Sequence, residues 1–308
     1  MVDTDTFLTT LYVMVDDFCK ACLGDDVRPG PAPSLSRSEV ITLAVFSQWQ
    51  QFPSERACYR YIRRRFLSAF PTLPDRAQWN RLIRRCRDDI ARFLVFLAGL
   101  LQAGTCEYEI LDTTGIRTRN IKRRGHGWLP DQACIGKCNR IGWFEGFRLL
   151  VAISPVGVIT GFGFGAGSAK DQPLAETLFA LRAHPDPRLP SVGQPAHASY
   201  IADSGFTGAP NAVRWAADYG AWLECVPQAE IHNPEWRPWR RWLTSLRQII
   251  ETVNDRLLTV FRLDAERPHD ITGFQARLAA KAALHNFCVW LNTQSGREPL
   301  AFADLVDW

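Results

Sequence analysis

Two aspartates in the 308-residue sequence end short apolar runs. Asp112 closes Ile110-Leu111 and precedes Thr113-Thr114, and Asp203 closes Tyr200-Ile201-Ala202 and precedes Ser204-Gly205. Each pattern sets a carboxylate at the carboxyl end of a buried strand, where desolvation is costly unless a cation meets the charge. A third acid, Glu251, lies in Arg247-Gln248-Ile249-Ile250-Glu251-Thr252-Val253-Asn254. The helix expected there has Trp239, Trp242, Leu243, Leu246, Ile250, Val253 and Leu257 as its buried stripe. Arg247, Glu251 and Asn254 share a second face, which lets Arg247 touch either the glutamate or a phosphate.

Taken singly, a turn-capping aspartate and an exposed Arg–Glu pair account for these residues. Together, Asp112, Asp203 and Glu251 supply the oxygen ligands that two divalent ions about 4 Å apart require. Such ions would activate a water or a 3′-hydroxyl and stabilise the leaving oxygen of a phosphodiester. Oxygen donors favour Mg²⁺ or Mn²⁺ over zinc.

The cations point the same way. The net charge is only +4, but eleven arginines lie between Arg56 and Arg92 against Asp75, Asp88 and Asp89. Arg60, Arg63, Arg64 and Arg65 fall in one expected helix, and Lys122, Arg123 and Arg124 close a second basic run that begins at Arg117. Guanidinium forks match phosphate oxygens, so these residues and Arg247 are candidate contacts to nucleic acid, with a solvated helix face as the alternative for either run.

The elements that must position these groups follow from periodicity. Helical spacing marks Phe7 to Leu23, Val40 to Trp49, Glu55 to Phe66 and Ile90 to Leu101, with Ser36 or Ser38 as a cap and a helix-turn-helix outline around Phe52-Pro53-Ser54. From residue 104 the pattern changes to strands at Glu107 to Asp112, Phe147 to Ile153 and Val156 to Phe164, with a turn at Ser154 to Gly157. A helix near Gln172 to Ala183, a strand Ser199 to Asp203, a helix Pro210 to Tyr219 and a strand Trp222 to Val226 come next. A long helix from Trp239 and an apolar helix Phe274 to Leu291 complete the order. The expected class is α/β, a mixed sheet flanked by helices and preceded by an all-helical region, with residues 1–104 as a DNA-binding unit and 105–308 as a catalytic one.

Other features are expected to be structural. Leu149 to Ala169 is uncharged, but Pro155 and its glycines break it, so no membrane span is expected. The opening Met-Val-Asp-Thr-Asp lacks the cationic start of a secretion signal, which implies a cytoplasmic place. Nine irregularly spaced cysteines fit reduced thiols, and Cys19 and Cys22 fit an amphipathic helix better than a metal knuckle. His126, Cys134 and Cys138 lack a fourth zinc ligand, and their basic loop suggests DNA contact instead. His285, in an apolar helix, reads as a core or interface histidine.

These residues carry a resemblance to the DDE transposases of bacterial insertion sequences. The similar pieces are Leu111-Asp112-Thr113-Thr114, Gly142-Trp143-Phe144-Glu145-Gly146-Phe147-Arg148-Leu149, Ala169-Lys170-Asp171, Ala202-Asp203-Ser204-Gly205-Phe206 and Arg247 to Val253, in the family's order. The resemblance implies a ribonuclease-H-like domain whose Asp112, Asp203 and Glu251 bind two Mg²⁺ or Mn²⁺ ions. It further implies binding of terminal inverted repeats, strand cleavage, transfer to target DNA, a homo-oligomer on DNA and a place at the nucleoid. Asp171 resembles a family acidic position, although a helix N-cap before Pro173 explains it equally. The chain departs from the family pattern at Thr244 and Leu258, where relatives carry Tyr and Lys, and at Ser204, where relatives often carry Lys. Arg256 is the available substitute for the missing cation. A nuclease of this fold without strand transfer and a transposase-derived DNA-binding regulator are the competing functions. A pure binder gains nothing from carboxylates that repel phosphate.

Overall fold

A computed structural model of the chain describes residues 1–24, 33–122, 127–186, 199–206, 208–225 and 232–308. After a two-residue strand, β1 (Val2–Asp3), five helices follow: α1 (Thr4–Cys22), α2 (Arg37–Phe46), α3 (Glu55–Arg65), α4 (Arg76–Arg85) and α5 (Arg87–Leu100). All but α5, which follows Cys86, are capped at their starts by the polar residues before them. Asp3, Ser54 and Asp75 accept amide hydrogens of the first turn, and Ser36 forms a reciprocal capping box with Glu39. Ser38 lies inside α2 and bonds Asp16, so Ser36 is the cap. The apolar pattern gave no sign of α4, which buries only Trp79, Leu82 and Ile83.

The sheet contains β2 (Glu109–Arg119), β3 (Cys134–Cys138), β4 (Gly142–Ile153) and β5 (Ile159–Ala166), followed by α6 (Asp171–Ala183), β6 (Ser199–Ile201), α7 (Ala209–Tyr219) and β7 (Trp222–Glu224). The strand order is β3-β4-β2-β6-β7, with β5 also on β4. One edge of β4 carries β3 along Gly142 to Gly146 and β5 along Phe147 to Ile153. β2 and β4 are antiparallel, whereas β6 lies parallel to both β2 and β7. Leaving out β3, the order β5-β4-β2-β6-β7 is the ribonuclease-H-like arrangement. The turn from β4 to β5 is tight because Gly157 takes φ +84° and its amide bonds the Ser154 carbonyl at 2.9 Å.

Two differences from the sequence pattern matter. β2 runs seven residues past Asp112, because Thr113 to Arg119 pair with β4 as a ribbon although their composition reads as a basic loop. β6 stops at Ile201, and only the Ala202 amide continues the pairing, to the Glu224 carbonyl at 3.1 Å. Asp203 therefore stands just beyond the strand.

α8 (Arg237–Asp255) continues as a π turn over Arg256–Val260, then comes α9 (Ile271–Gln294), and β8 (Val306–Asp307) pairs in parallel with β1. α9 is buried along most of its length, and one apolar core runs from α1, α2 and α5 through α9 to β4 and β5. A smaller core of Leu111, Leu150, Phe179, Tyr200 and Trp215 fills the space between the sheet and α6 and α7. Among the described residues no helix is long and apolar enough to cross a membrane.

Within that smaller core α6 delivers one charge. Arg182 pairs with Glu109, both side chains 2% exposed, and also donates to the Tyr200 hydroxyl at 3.1 Å and the Thr160 hydroxyl at 3.2 Å. Glu109 and Tyr200 are direct neighbours in the β2–β6 register, and each lies three residues before one of the two aspartates. Arg182→Met would strand Glu109 as a buried unpaired charge and should cost about 3–5 kcal/mol in denaturant unfolding. Adding Glu109→Met should recover at least half of that loss. A double variant no more stable than the single one would show that the pair is not what holds these strands.

Candidate active site

β2 and β6 are adjacent and parallel, and the Ile110–Ile201 register sets Asp112, within β2, level with Asp203 at the edge where β6 ends. α8 lies across that edge. Its Asn254 donates an amide hydrogen to Asp112 Oδ2 at 2.9 Å. Its Arg247 sets Nη2 3.7 Å from Asp112 Oδ1 and 3.8 Å from Asp203 Oδ2, an ion-pair range too long for strong hydrogen bonds. Of the two expected partners of Arg247, Glu251 is corrected: in the folded chain the guanidinium faces both aspartates. Glu251 is exposed one turn further on, and among the described residues no three His, Cys, Asp or Glu groups gather at ion-holding distance. The fold thus unites Asp112, Asp203, Arg247 and Asn254 and leaves Glu251 on the rim.

A further acid joins them. Asp171 is the first residue of α6, whose N-cap is Lys170, and its side chain caps nothing. Instead it accepts from the Thr113 hydroxyl at 2.6 Å and from Arg148 at 3.0 Å, which corrects the N-cap reading. The Gly205 amide donates to Asp203 at 2.7 Å, and a Cβ at Gly205 would lie 2.7 Å from Asp171 Oδ2 and 2.9 Å from Asp203 Oδ1. Only glycine lets the two carboxylates approach the chain there. Arg148 also donates to the Lys137 carbonyl at 2.7 Å, tying the β3–β4 hairpin to the site. Sequence reasoning left Arg148 without a role, yet a lone cation in the apolar run Phe147 to Ile153 was a usable signal.

The electrostatics follow from crowding. Burial pushes the Asp112 carboxyl up to about 7, Asp203 and Asp171 push in the same direction, and Arg247 opposes them. Arg247 thus only partly offsets the negative charge, and carboxylate oxygens of this kind suit a hard divalent cation. Asp112 and Asp203 would hold it, with Asp171 nearby.

A family model of the transposase DDE domain matches residues 110–287, more than half of the chain. The chain belongs to the DDE transposases. The matched span begins two residues before Asp112 and ends within α9, so it contains the whole site and most of the sheet. Members of this family generally use divalent metal ions. No curated protein and no solved structure matches the chain.

The remaining candidates of the transposase are spread out. Arg60, Arg63 and Arg64 are exposed on α3, and Arg65 pairs with Asp5 at 3.0 Å. Lys122 is exposed after β2, and Arg123, Arg124 and His126 lie outside the described residues. Cys134 and Cys138 sit four residues apart on β3, about 13 Å along a strand, too far to share an ion. Cys22 is exposed rather than packed, unlike the half-buried Cys19, and Trp242 is 45% exposed and leaves the expected buried stripe of α8. His285 is fully buried, bonds the Gly157 carbonyl at 2.8 Å, and is driven by burial down to about 4, so it is neutral.

The raised Asp112 value sets a pH dependence. The folded state holds a proton that an unfolded aspartate releases near 3.9, so ionising Asp112 lowers stability as pH rises from about 4 through about 7. Without divalent ions, Asp112→Asn should raise Tm by roughly 3–6 °C at pH 8 and hardly at all at pH 4.5, measured by calorimetry. Equal shifts at both pH values would exclude this assignment.

Proposed function

We propose that this transposase binds the inverted-repeat ends of a bacterial insertion sequence, cuts its strands and joins their 3′-hydroxyls to target DNA, with Asp112, Asp203 and Glu251 as its catalytic carboxylates. The observation that carries the reading is the meeting of Asp112, within β2, and Asp203, just past the parallel neighbouring strand β6, bridged by a cation that does not satisfy them. Two Mg²⁺ or Mn²⁺ ions bound there supply activation of the attacking oxygen and stabilisation of the leaving one. Asp112 and Asp203 hold the inner positions, Asn254 orients Asp112, and Glu251 completes the set from the neighbouring turn of α8. Arg247 balances the aspartates in the free protein and is within reach of a phosphate that approaches them. Residues 1–104 serve as the DNA-binding unit and 105–308 as the catalytic one. The transposase works in the cytoplasm, at the nucleoid, as a homo-oligomer on double-stranded DNA. Lys122, Arg123 and Arg124 add phosphate contacts.

Cleavage of element-end duplex should require Mg²⁺ or Mn²⁺, and Asp112→Asn, Asp203→Asn and Glu251→Gln should each lower it by at least about a hundredfold while leaving DNA affinity within a few fold. Wild-type cutting by any of the three would remove that residue from the set. Cutting without joining would favour a nuclease of the same fold.

The α3 arginines provide a separate measurement. Neutralising Arg60 with Arg63, or Arg64 with Arg65, should weaken binding and reduce the slope of log affinity against log salt by about 0.9 for each phosphate that the variant no longer neutralises. An unchanged slope would assign them to a solvated helix face.

A further inference from the structure

Between Arg237 and Ile250, α8 holds four arginines and no acid. Arg247 faces the aspartates, whereas Arg237, Arg240 and Arg241 form no ion pair among the described residues. Arg237 and Arg241 are exposed, and Arg240 is half-buried and donates to the Asn233 carbonyl at 3.5 Å. With Thr244, Ser245 and Gln248, the three arginines line an open groove of about 440 Å³ with no apolar side chain in its wall.

The groove is in line with the active site. At about 100° per residue, Arg240 projects beside Arg247, and Arg237, Arg241 and Gln248 fall within an arc of about 80° that Glu251 closes at one end. Along the helix axis, Arg241 and Arg237 stand about 15 and 21 Å from Glu251. One DNA strand advances about 3.4 Å per phosphate, so those spans correspond to roughly four to six nucleotides. Fork-shaped cations beside hydroxyl and amide groups suit phosphate oxygens, and the neighbouring carboxylates are the groups proposed to act on a phosphodiester.

We propose that this face of α8 is a track for the backbone of the DNA strand that enters the active site, contacting phosphates about four to six nucleotides from the reacting one. The proposal rests on the reading of the chain as a DNA-cleaving transposase. It assigns Arg237, Arg240 and Arg241 to positioning of the strand and leaves the chemistry to the carboxylates.

The test uses the full chain and a duplex of about 30 base pairs carrying the terminal sequence that flanks the gene, shortened in turn to about two base pairs on each side of the cut. On the long duplex, Arg237→Gln/Arg241→Gln should bind about tenfold more weakly at low salt, with the slope of log affinity against log salt reduced by about 1.8. On the duplex shortened on the contacted side, variant and wild type should bind alike. Arg237→Lys/Arg241→Lys should keep most of the slope, and all variants should keep the wild-type Tm because the changed side chains are exposed. An unchanged slope overturns the track, as does a deficit that persists on both shortened duplexes or one seen only with an acidic protein segment. Wild-type protein that cuts no duplex would overturn the DNA-cleaving reading itself. Normal wild-type cutting with a normal double variant would overturn the track alone.

Discussion

Two carboxylates that repel each other are held at one edge of a sheet, and much of the surrounding structure exists to keep them there. Asp112 is buried enough for its carboxyl to move up to about 7, and Asp203 and Asp171 make its ionisation harder still. The fold answers with cations at a distance: Arg247 lies just under 4 Å from both aspartates, and Arg148 takes Asp171. None of these contacts neutralises Asp112. A site left with surplus negative charge and oxygen donors is ready for a divalent ion, and it stores part of the folding free energy as the drive to bind one.

The repulsion is opposed through the backbone. Register pairs Glu109 with Tyr200, and Arg182 grips both from α6 in a place closed to water. Because each aspartate lies three residues further along the chain, that grip sets Asp112 and Asp203 level with each other. Gly205 removes the one side chain that would separate Asp171 from Asp203. α8 then closes the edge with Asn254 and Arg247 on the face beside its buried Ile250 and Val253.

The helical region is packed into the same body. α9 is apolar nearly all round because α1, α2 and α5 cover one side and β4 and β5 the other. The polar groups buried with it are paired: Lys281 meets Glu266 at 3.1 Å and Gln48 at 2.9 Å, and Asn286 exchanges two hydrogen bonds with the Ile159 backbone. Arg277 of α9 also joins Glu55, the first residue of α3, to Glu266.

Much of this was legible in the residues themselves. The apolar run ending in Asp203 marked a strand end and the one ending in Asp112 marked a strand, though not its end, the switch from helical spacing to alternation near residue 104 marked the start of the sheet, and the Arg247 to Asn254 face was readable from helical periodicity. These are local properties, and local propensity and pattern determine them. Tertiary structure decided the rest. β2 extends to Arg119 and β3 forms because β4 offers both edges, which no property of Thr113 to Arg119 or Cys134 to Cys138 announces. Asp171 belongs to the site, and Glu251 stands at its rim, because distances between residues 58 or more apart in sequence depend on how helices seat on the sheet. Arg247 faces two aspartates and not Glu251 for the same reason: once α8 lies across the sheet edge, the two unbalanced carboxylates exert a stronger pull on its guanidinium than an exposed glutamate in water.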